Sequence, residues 1–365
     1  MLCCGGSGMV PRFAPENVKC WGVRATCRWQ KCCVVSRAVC RCCEPRTAPC
    51  HHGMMQHLVR TNIRHWGKLS SCKGFKIELG RQISTSLSRC AGVPMTYTLH
   101  SPPDPTSSQS PLIIMHGLMG SKTNWKSLGK AIATRTGMEV YTVDARNHGD
   151  SPHTEAHSYP LLAEDILLFM QQHRIPTATL MGHSMGGRAV MATALMEPSV
   201  VDRLVVLDMS PVGTSKSISR LPRFLEIMLR VAIPPDLSPP QAKTYVDDLF
   251  KPAIPEASIR QFLLTNLIQT PEGEYTWKVN VKGIAKNFNP HISTFPAAAL
   301  PHHSFEGDTV FIAGALSDYL RPRDEEAVEE IFPQASFHYL EGAGHWLHAD
   351  QPTAFLNLLT LLLLP

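Results

Sequence analysis

Residues 179–190 read TLMGHSMGGRAV, and the serine inside them constrains the fold more than any other feature of the chain. Ser184 stands between Gly182 and Gly186, with an apolar run before it and Ala189, Val190, Met191 and Ala192 after it. The run Ala178 to Met181 predicts a buried strand, and the residues from Met185 predict a helix. Two glycines let the backbone double back between those elements, so the serine hydroxyl is pushed into the open. A serine on such a turn is a candidate nucleophile wherever the chain also supplies a base, an acid and an oxyanion hole.

Strand and helix signals alternate on both sides of this turn. PLIIMHG (111–117) reads as a short strand, NWKSLGKAIATRTG (124–137) as a helix with a glycine stop, and EVYTVDAR (139–146) as the next strand. SYPLLAEDILLFMQQH (158–173) predicts a helix with Ser158 as N-cap and Pro160 in its first turn. RLVVLDMSP (203–211) is a further strand. The pattern resumes with DTVFIAGAL (308–316), the acidic helix RDEEAVEEIF (323–332), the strand SFHYLEGAGH (336–345) and a last helix from Thr353. Between them, residues 213 to about 300 are helical and proline-punctuated, with no convincing strand. We expect an α/β fold over 91–365: a mostly parallel sheet sandwiched by helices, with a helical cap inserted after the strand ending near Asp208. The chain has 365 residues, 44% of them hydrophobic, enough for one large domain of this kind.

Active sites in such sheets gather at the carboxyl ends of the strands, so the partners of Ser184 are sought there. His345 follows the last strand in EGAGHW, where small residues free the backbone and a tryptophan can pack beside the ring. It is the expected base, ahead of His338 inside the strand, His348 at the start of the last helix, and His302 and His303 near the cap. Two residues compete as the acid. Asp208 ends one strand and Asp318 follows the next. We favour Asp208 and keep Asp318 as the alternative. Either gives the chain order serine, acid, histidine. The oxyanion hole needs two backbone N–H groups. Met185, after the serine, supplies one; Leu118, in the loop HGLMGS (116–121), supplies the other. We read His116 as orienting that loop, and Asp144, Arg146 and His148 as knitting the sheet edge. In the cap, Leu221, Phe224, Leu225, Met228 and Leu229 recur at offsets of three and four. Phe224 and Met228 are the candidates to line an acyl slot, against the plainer alternative that this helix only docks on the domain.

The formal net charge of +5 hides two kinds of material. Residues 1–90 hold 15 Lys or Arg, three acids and all 12 cysteines, while the remainder is mildly acidic. A body without cysteine holds no disulfide and no thiolate metal site, and its acidic balance excludes a nucleic-acid surface. The basic, cysteine-rich leader (1–90) is expected to be disordered. From Met54 or Met55 to 90 it is rich in Arg, Lys and Ser, the composition of a mitochondrial transit peptide. The cluster Cys32, Cys33, Cys40, Cys42, Cys43, Cys50, His51 and His52 fits no regular zinc spacing, so no metal is expected. No run of 18 apolar residues occurs, so no transmembrane segment is expected. The C-terminal AFLNLLTLLLLP (354–365) reads as a buried helix.

HGLMGSKTNW, DARNHGDSPH, GHSMGG, LDMSPV, LLTNL and GAGHWLHAD together resemble the α/β-hydrolase domain-containing protein 11 group, from about residue 93 to the end. The resemblance implies the α/β-hydrolase fold, Ser184 as nucleophile and His345 as base. Bacterial esterase relatives place the acid after the next strand, which matches Asp208. Animal members often carry an aspartate two residues after the Asn of a Trp-x-x-Asn segment; here Trp277 and Asn280 are followed by Lys282. Members tend to be non-acidic at position 318, so Asp318 is a departure. The resemblance further implies a mitochondrial-matrix serine hydrolase of carboxylic esters such as acylglycerols, with no cofactor, and an association with the 2-oxoglutarate dehydrogenase complex. A thioesterase of the same mechanism, or a non-catalytic adaptor that keeps the fold, is the alternative. Serine at 184 disfavours dehalogenase and epoxide hydrolase chemistry.

Overall fold

The computed structural model describes residues 92–103, 109–213 and 215–364. The leader, its transit-like part and its cysteine cluster lie outside the described residues. Seven strands form the central sheet: β1 (Tyr97–His100), β2 (Leu112–Met115), β3 (Val140–Val143), β4 (Ala178–His183), β5 (Val201–Leu207), β8 (Thr309–Gly314) and β9 (Ala335–Leu340). A separate hairpin in the cap contains β6 (Leu267–Gln269) and β7 (Tyr275–Trp277). The sheet runs β1-β3-β2-β4-β5-β8-β9, with β1 antiparallel and every other neighbour parallel.

Strands β2, β3, β4 and β8 are buried along their whole length, which is why they read as unbroken apolar runs rather than as alternating ones. Helices cover both faces. One layer holds α2 (Tyr159–His173) and α3 (Met185–Met196); the other holds α1 (Lys126–Thr136) and α10 (Pro352–Leu363). In α10, Phe355, Leu359 and Leu363 are buried while Leu361 faces out, so the C-terminal leucine run is an amphipathic packing helix. Among the described residues no helix is long and apolar enough to cross a membrane.

Some local readings change. Ser158 occupies the N-cap position of α2 with extended backbone, but its side chain makes no capping bond. The acidic helix shrinks to a 3-10 turn, Pro322–Asp324, and α8 (Glu325–Glu329). Glu325 with Glu329 and Glu326 with Glu330 place like charges four residues apart, which weakens a longer helix. The cap comprises α4 (Leu221–Arg230), α5 (Pro239–Phe250), α6 (Ala257–Leu264), the hairpin and α7 (Val281–Asn287). The hairpin is a correction, since no strand is expected from the sequence there. The last helical turn before α10 is α9 (Leu347–Asp350).

Register fixes where the site must be. Met115 pairs with Gly182, His183 with Leu207, and Leu207 with Ile312, so β2, β4, β5 and β8 end nearly level. The loops carrying Leu118, Ser184, Asp208, Asp318 and, after β9, His345 therefore leave one edge of the sheet side by side.

Candidate active site

Ser184 sits on a strained turn. Its backbone has φ 55° and ψ −116°, a conformation costing a non-glycine residue on the order of 1–3 kcal/mol. Close approach explains the flanking glycines. A Cβ on Gly182 would lie 2.1 Å from the Gly186 carbonyl oxygen, and one on Gly186 would lie 2.3 Å from that of Met115. The turn is held from beneath, since the Ser184 N–H donates to the Leu207 carbonyl at 3.0 Å.

A hydrogen-bonded line leads away from the serine. Ser184 Oγ lies 3.0 Å from His345 Nε2, and His345 Nδ1 lies 2.6 Å from Asp208 Oδ2. Because the buried carboxylate can only accept, Nδ1 carries the proton and Nε2 offers its lone pair to the serine hydroxyl. Asp208 is itself fixed. It has φ 48°, its Oδ2 accepts from Ser317 Oγ at 2.5 Å, and its Oδ1 accepts from the Gly314 N–H at 3.1 Å. The imidazole of His345 is clamped as well. Tyr319 stacks on it with ring centroids 3.7 Å apart, and His183 Nε2 donates to the His345 carbonyl at 2.8 Å. Sequence reasoning assigns the packing partner to the adjacent tryptophan. Trp346 does meet the ring, but edge-on at 5.7 Å, and Tyr319 takes the face.

Asp318, the alternative acid, is turned elsewhere. Its Oδ1 accepts from Ser215 Oγ at 2.6 Å and its Oδ2 from the Ser217 N–H at 3.2 Å, so it ties down the entry to the cap rather than His345. The serine before it, three residues after the strand-ending Gly314, is the residue that bonds Asp208. Lys282 is exposed on α7.

The remaining candidates fall into place around this line. Leu118 borders the cavity in front of Ser184, and Met185 opens α3, where the first N–H groups have no helical acceptor. Among the described residues no acceptor takes either N–H. His116 Nδ1 donates to the Gly117 carbonyl at 2.8 Å and its Nε2 accepts from the Ala145 N–H at 3.1 Å. His148 Nδ1 donates to the Arg146 carbonyl at 2.9 Å and its Nε2 accepts from the Met119 N–H at 3.2 Å. Burial holds both rings below the usual histidine range, His148 well below it, so they act as neutral struts of the Leu118 loop. Asp144 accepts from the backbone N–H groups of Lys122 and Asp150 at 2.7 and 2.9 Å. Arg146 grips Asp165 through two 2.6 Å bonds.

The cavity has a volume of about 620 Å³. Its cap wall is built by Leu221, Phe224, Ile259, Phe262 and Leu263, its other wall by Leu118, Leu316 and Trp346. Phe224 therefore borders the space before Ser184, as expected. Met228 does not, and this is a correction. One helical turn beyond Phe224, its side chain is buried in the core and its carbonyl accepts from Trp277 Nε1 at 2.9 Å. The apolar arc of α4 is broad enough that one end meets the cavity and the other packs within the cap.

With this geometry in place, likeness to known proteins decides the family. Residues 110–352 match the family described as alpha/beta hydrolase fold. The mouse protein named sn-1-specific diacylglycerol lipase ABHD11 is 40% identical over 268 residues, which span 73% of this chain and 84% of the mouse one. The chain belongs to the α/β-hydrolase domain-containing protein 11 family. Esterase YbfF of Escherichia coli strain K12 is 32% identical over 250 residues, 68% of this chain and 91% of its own. Among solved structures, a marine microorganism esterase superposes with a TM-score of 0.66 at 31% identity, covering 75% of this chain and all of its own.

Proposed function

We propose that this protein hydrolyses carboxylic esters with lipid-like acyl groups through a covalent acyl-enzyme on Ser184. Family and fold make the chain a carboxylic ester hydrolase; the continuous line Ser184–His345–Asp208 is the observation that supports the serine mechanism. Ser184 Oγ attacks the ester carbonyl carbon while His345 Nε2 takes the hydroxyl proton. The carbonyl oxygen, now anionic, is met by the N–H groups of Leu118 and Met185, each worth about 10²–10³ in rate. Collapse expels the alkoxide, to which His345 returns the proton, leaving an acyl-serine and a free alcohol. Water then attacks that acyl group with His345 again as base, releasing the carboxylic acid and restoring Ser184. Asp208 keeps the imidazole in the one tautomer that can do this and stabilises the imidazolium.

The apolar cap wall supports an acyl group longer than acetyl. Each buried methylene is worth about 0.8 kcal/mol, so four more carbons beside Phe224 favour the longer ester by about 3 kcal/mol, on the order of a hundredfold in kcat/KM. Initial rates with esters from acetyl to octanoyl are expected to rise accordingly. Phe224→Ala flattens that rise without unfolding the protein. Met228→Ala costs about 2–5 kcal/mol of stability and leaves the profile steep. A profile that is flat in the unaltered enzyme contradicts the acyl slot.

The acylglycerol class rests on the named relative, and a mitochondrial address rests on the leader composition. Association with the 2-oxoglutarate dehydrogenase complex rests on the resemblance alone and requires that address. A fluorescent reporter carrying residues 54–92 is expected to concentrate in mitochondria; a cytosolic or secreted reporter overturns the assignment.

A further inference from the structure

Asn266, the asparagine of LLTNL (263–267), belongs to the cap yet bonds the loop that carries the Leu118 N–H. It follows α6 and is buried. Its backbone is held on both sides: its N–H donates to the Leu263 carbonyl at 3.0 Å, and its carbonyl accepts from the Lys278 N–H at 2.8 Å. From that fixed base Nδ2 donates to the Met119 carbonyl at 2.8 Å, a buried bond between residues 147 apart in sequence. A carbonyl can only accept, so the amide nitrogen and not its oxygen faces Met119.

What this bond does follows from the loop it grips. Met119 holds φ at 64°, a conformation that costs a non-glycine residue on the order of 1–3 kcal/mol and lasts only where its surroundings enforce it. His148 Nε2 accepts the Met119 N–H at 3.2 Å. The Gly117 carbonyl accepts from His116 Nδ1 at 2.8 Å and from the Gly120 N–H at 2.9 Å. The Leu118 N–H shares a peptide plane with that Gly117 carbonyl, so these bonds set its aim. The plane lies against the nucleophile, since a Cβ on Gly117 would be 3.2 Å from Ser184 Cβ. The two histidines hold the loop from the sheet edge, and Asn266 holds it from the cap. Loss of the Asn266 bond frees the strained Met119 turn to relax, and the Leu118 N–H swings with it.

We propose that Asn266 is a positioning residue of the oxyanion hole, keeping the Leu118 N–H on target through the Met119 carbonyl. This rests on the ester-hydrolase reading with Leu118 as an oxyanion donor. Because α6 also supplies Ile259, Phe262 and Leu263 to the cavity wall, one element of the cap both borders the acyl space and steadies the catalytic loop.

The test compares Asn266→Ala and Asn266→Asp with the unaltered full-length enzyme on acetyl and octanoyl esters. Removing an oxyanion donor lowers the rate by about 10²–10³, and displacing one forfeits part of that. In Asn266→Ala, kcat is therefore expected to fall about 10–100-fold, by the same factor for both esters, with KM changed less than about threefold. Asn266→Asp, which turns an acceptor towards the Met119 carbonyl, is expected to lose at least as much. An octyl trifluoromethyl ketone gives a readout that a merely structural role would not move. Ser184 Oγ adds to its carbonyl carbon, the hydroxyl proton passes to His345, and the carbonyl oxygen becomes an anion in the hole. Its Ki, read from the activity that remains, is expected to rise by the factor by which kcat/KM falls. Partial unfolding lowers the rate and leaves Ki where it was. Unchanged kcat in both variants, a lower kcat with unchanged Ki, or a loss confined to the octanoyl ester overturns the proposal. Failure of both variants to fold makes Asn266 a residue of the fold alone and overturns it too. Each of these outcomes leaves the ester-hydrolase reading standing, whereas an unaltered enzyme that cleaves neither ester overturns that reading and this one with it.

Discussion

Ser184→Ala is expected to lower kcat for ester cleavage by about 10⁶-fold while the melting temperature moves by no more than a few degrees. The size of the loss follows from the arrangement of the site. His345 and Asp208 act only by activating the Ser184 hydroxyl, so without it they contribute nothing, and what remains is the Leu118 and Met185 N–H groups acting on a water attack. Stability is spared because alanine retains the Cβ and the φ of 55° that the turn already tolerates. A variant that keeps more than a few per cent of the activity would place the nucleophile elsewhere.

The second large effect separates the two candidate acids. Asp208→Asn is expected to lower kcat by about 10⁴-fold. An amide that presents its NH2 to His345 Nδ1 forces the proton onto Nε2, the tautomer that cannot take one from Ser184. With its NH2 in the Oδ2 position the amide also takes away the acceptor of the Ser317 hydroxyl, which must turn to accept instead, while the Gly314 N–H keeps its oxygen, so the loss of stability is about 1 kcal/mol. Asp318→Asn changes kcat by less than about threefold, because its carboxylate bonds Ser215 and Ser217. Steady-state rates of the two variants side by side decide the matter. Loss of activity in Asp318→Asn with a mild Asp208→Asn reverses the assignment.

The two acids show where sequence reasoning reached its limit. Strands buried on both faces write themselves as apolar runs, so β2, β3, β4 and β8 were legible, as was β5 through its buried stretch from Leu204 to Leu207, and with them the loops at their ends. Both aspartates follow such strands. Nothing in spacing tells that Asp208 turns inward on a positive φ while Asp318 turns to the cap; that depends on register and on which donors surround each carboxylate. The same limit hid β1, an edge strand whose exposed residues Tyr97, Thr98 and Leu99 carry no apolar run. It hid the cap hairpin, whose strands are three residues long. On α4 the spacing places Phe224 and Met228 on one face, yet only the packing of the cap decides which turn meets the cavity. Tyr319 could have been suspected, since an aromatic residue in the loop after β8 leaves the same sheet edge as His345.

The most direct measurement is labelling of the purified enzyme with a fluorophosphonate, followed by intact mass and peptide mapping, because the probe reads the activated hydroxyl without any choice of substrate. A single adduct is expected on Ser184, abolished in Ser184→Ala and strongly slowed in Asp208→Asn. An adduct on another residue, or undiminished labelling of the Ser184→Ala variant, would contradict the account.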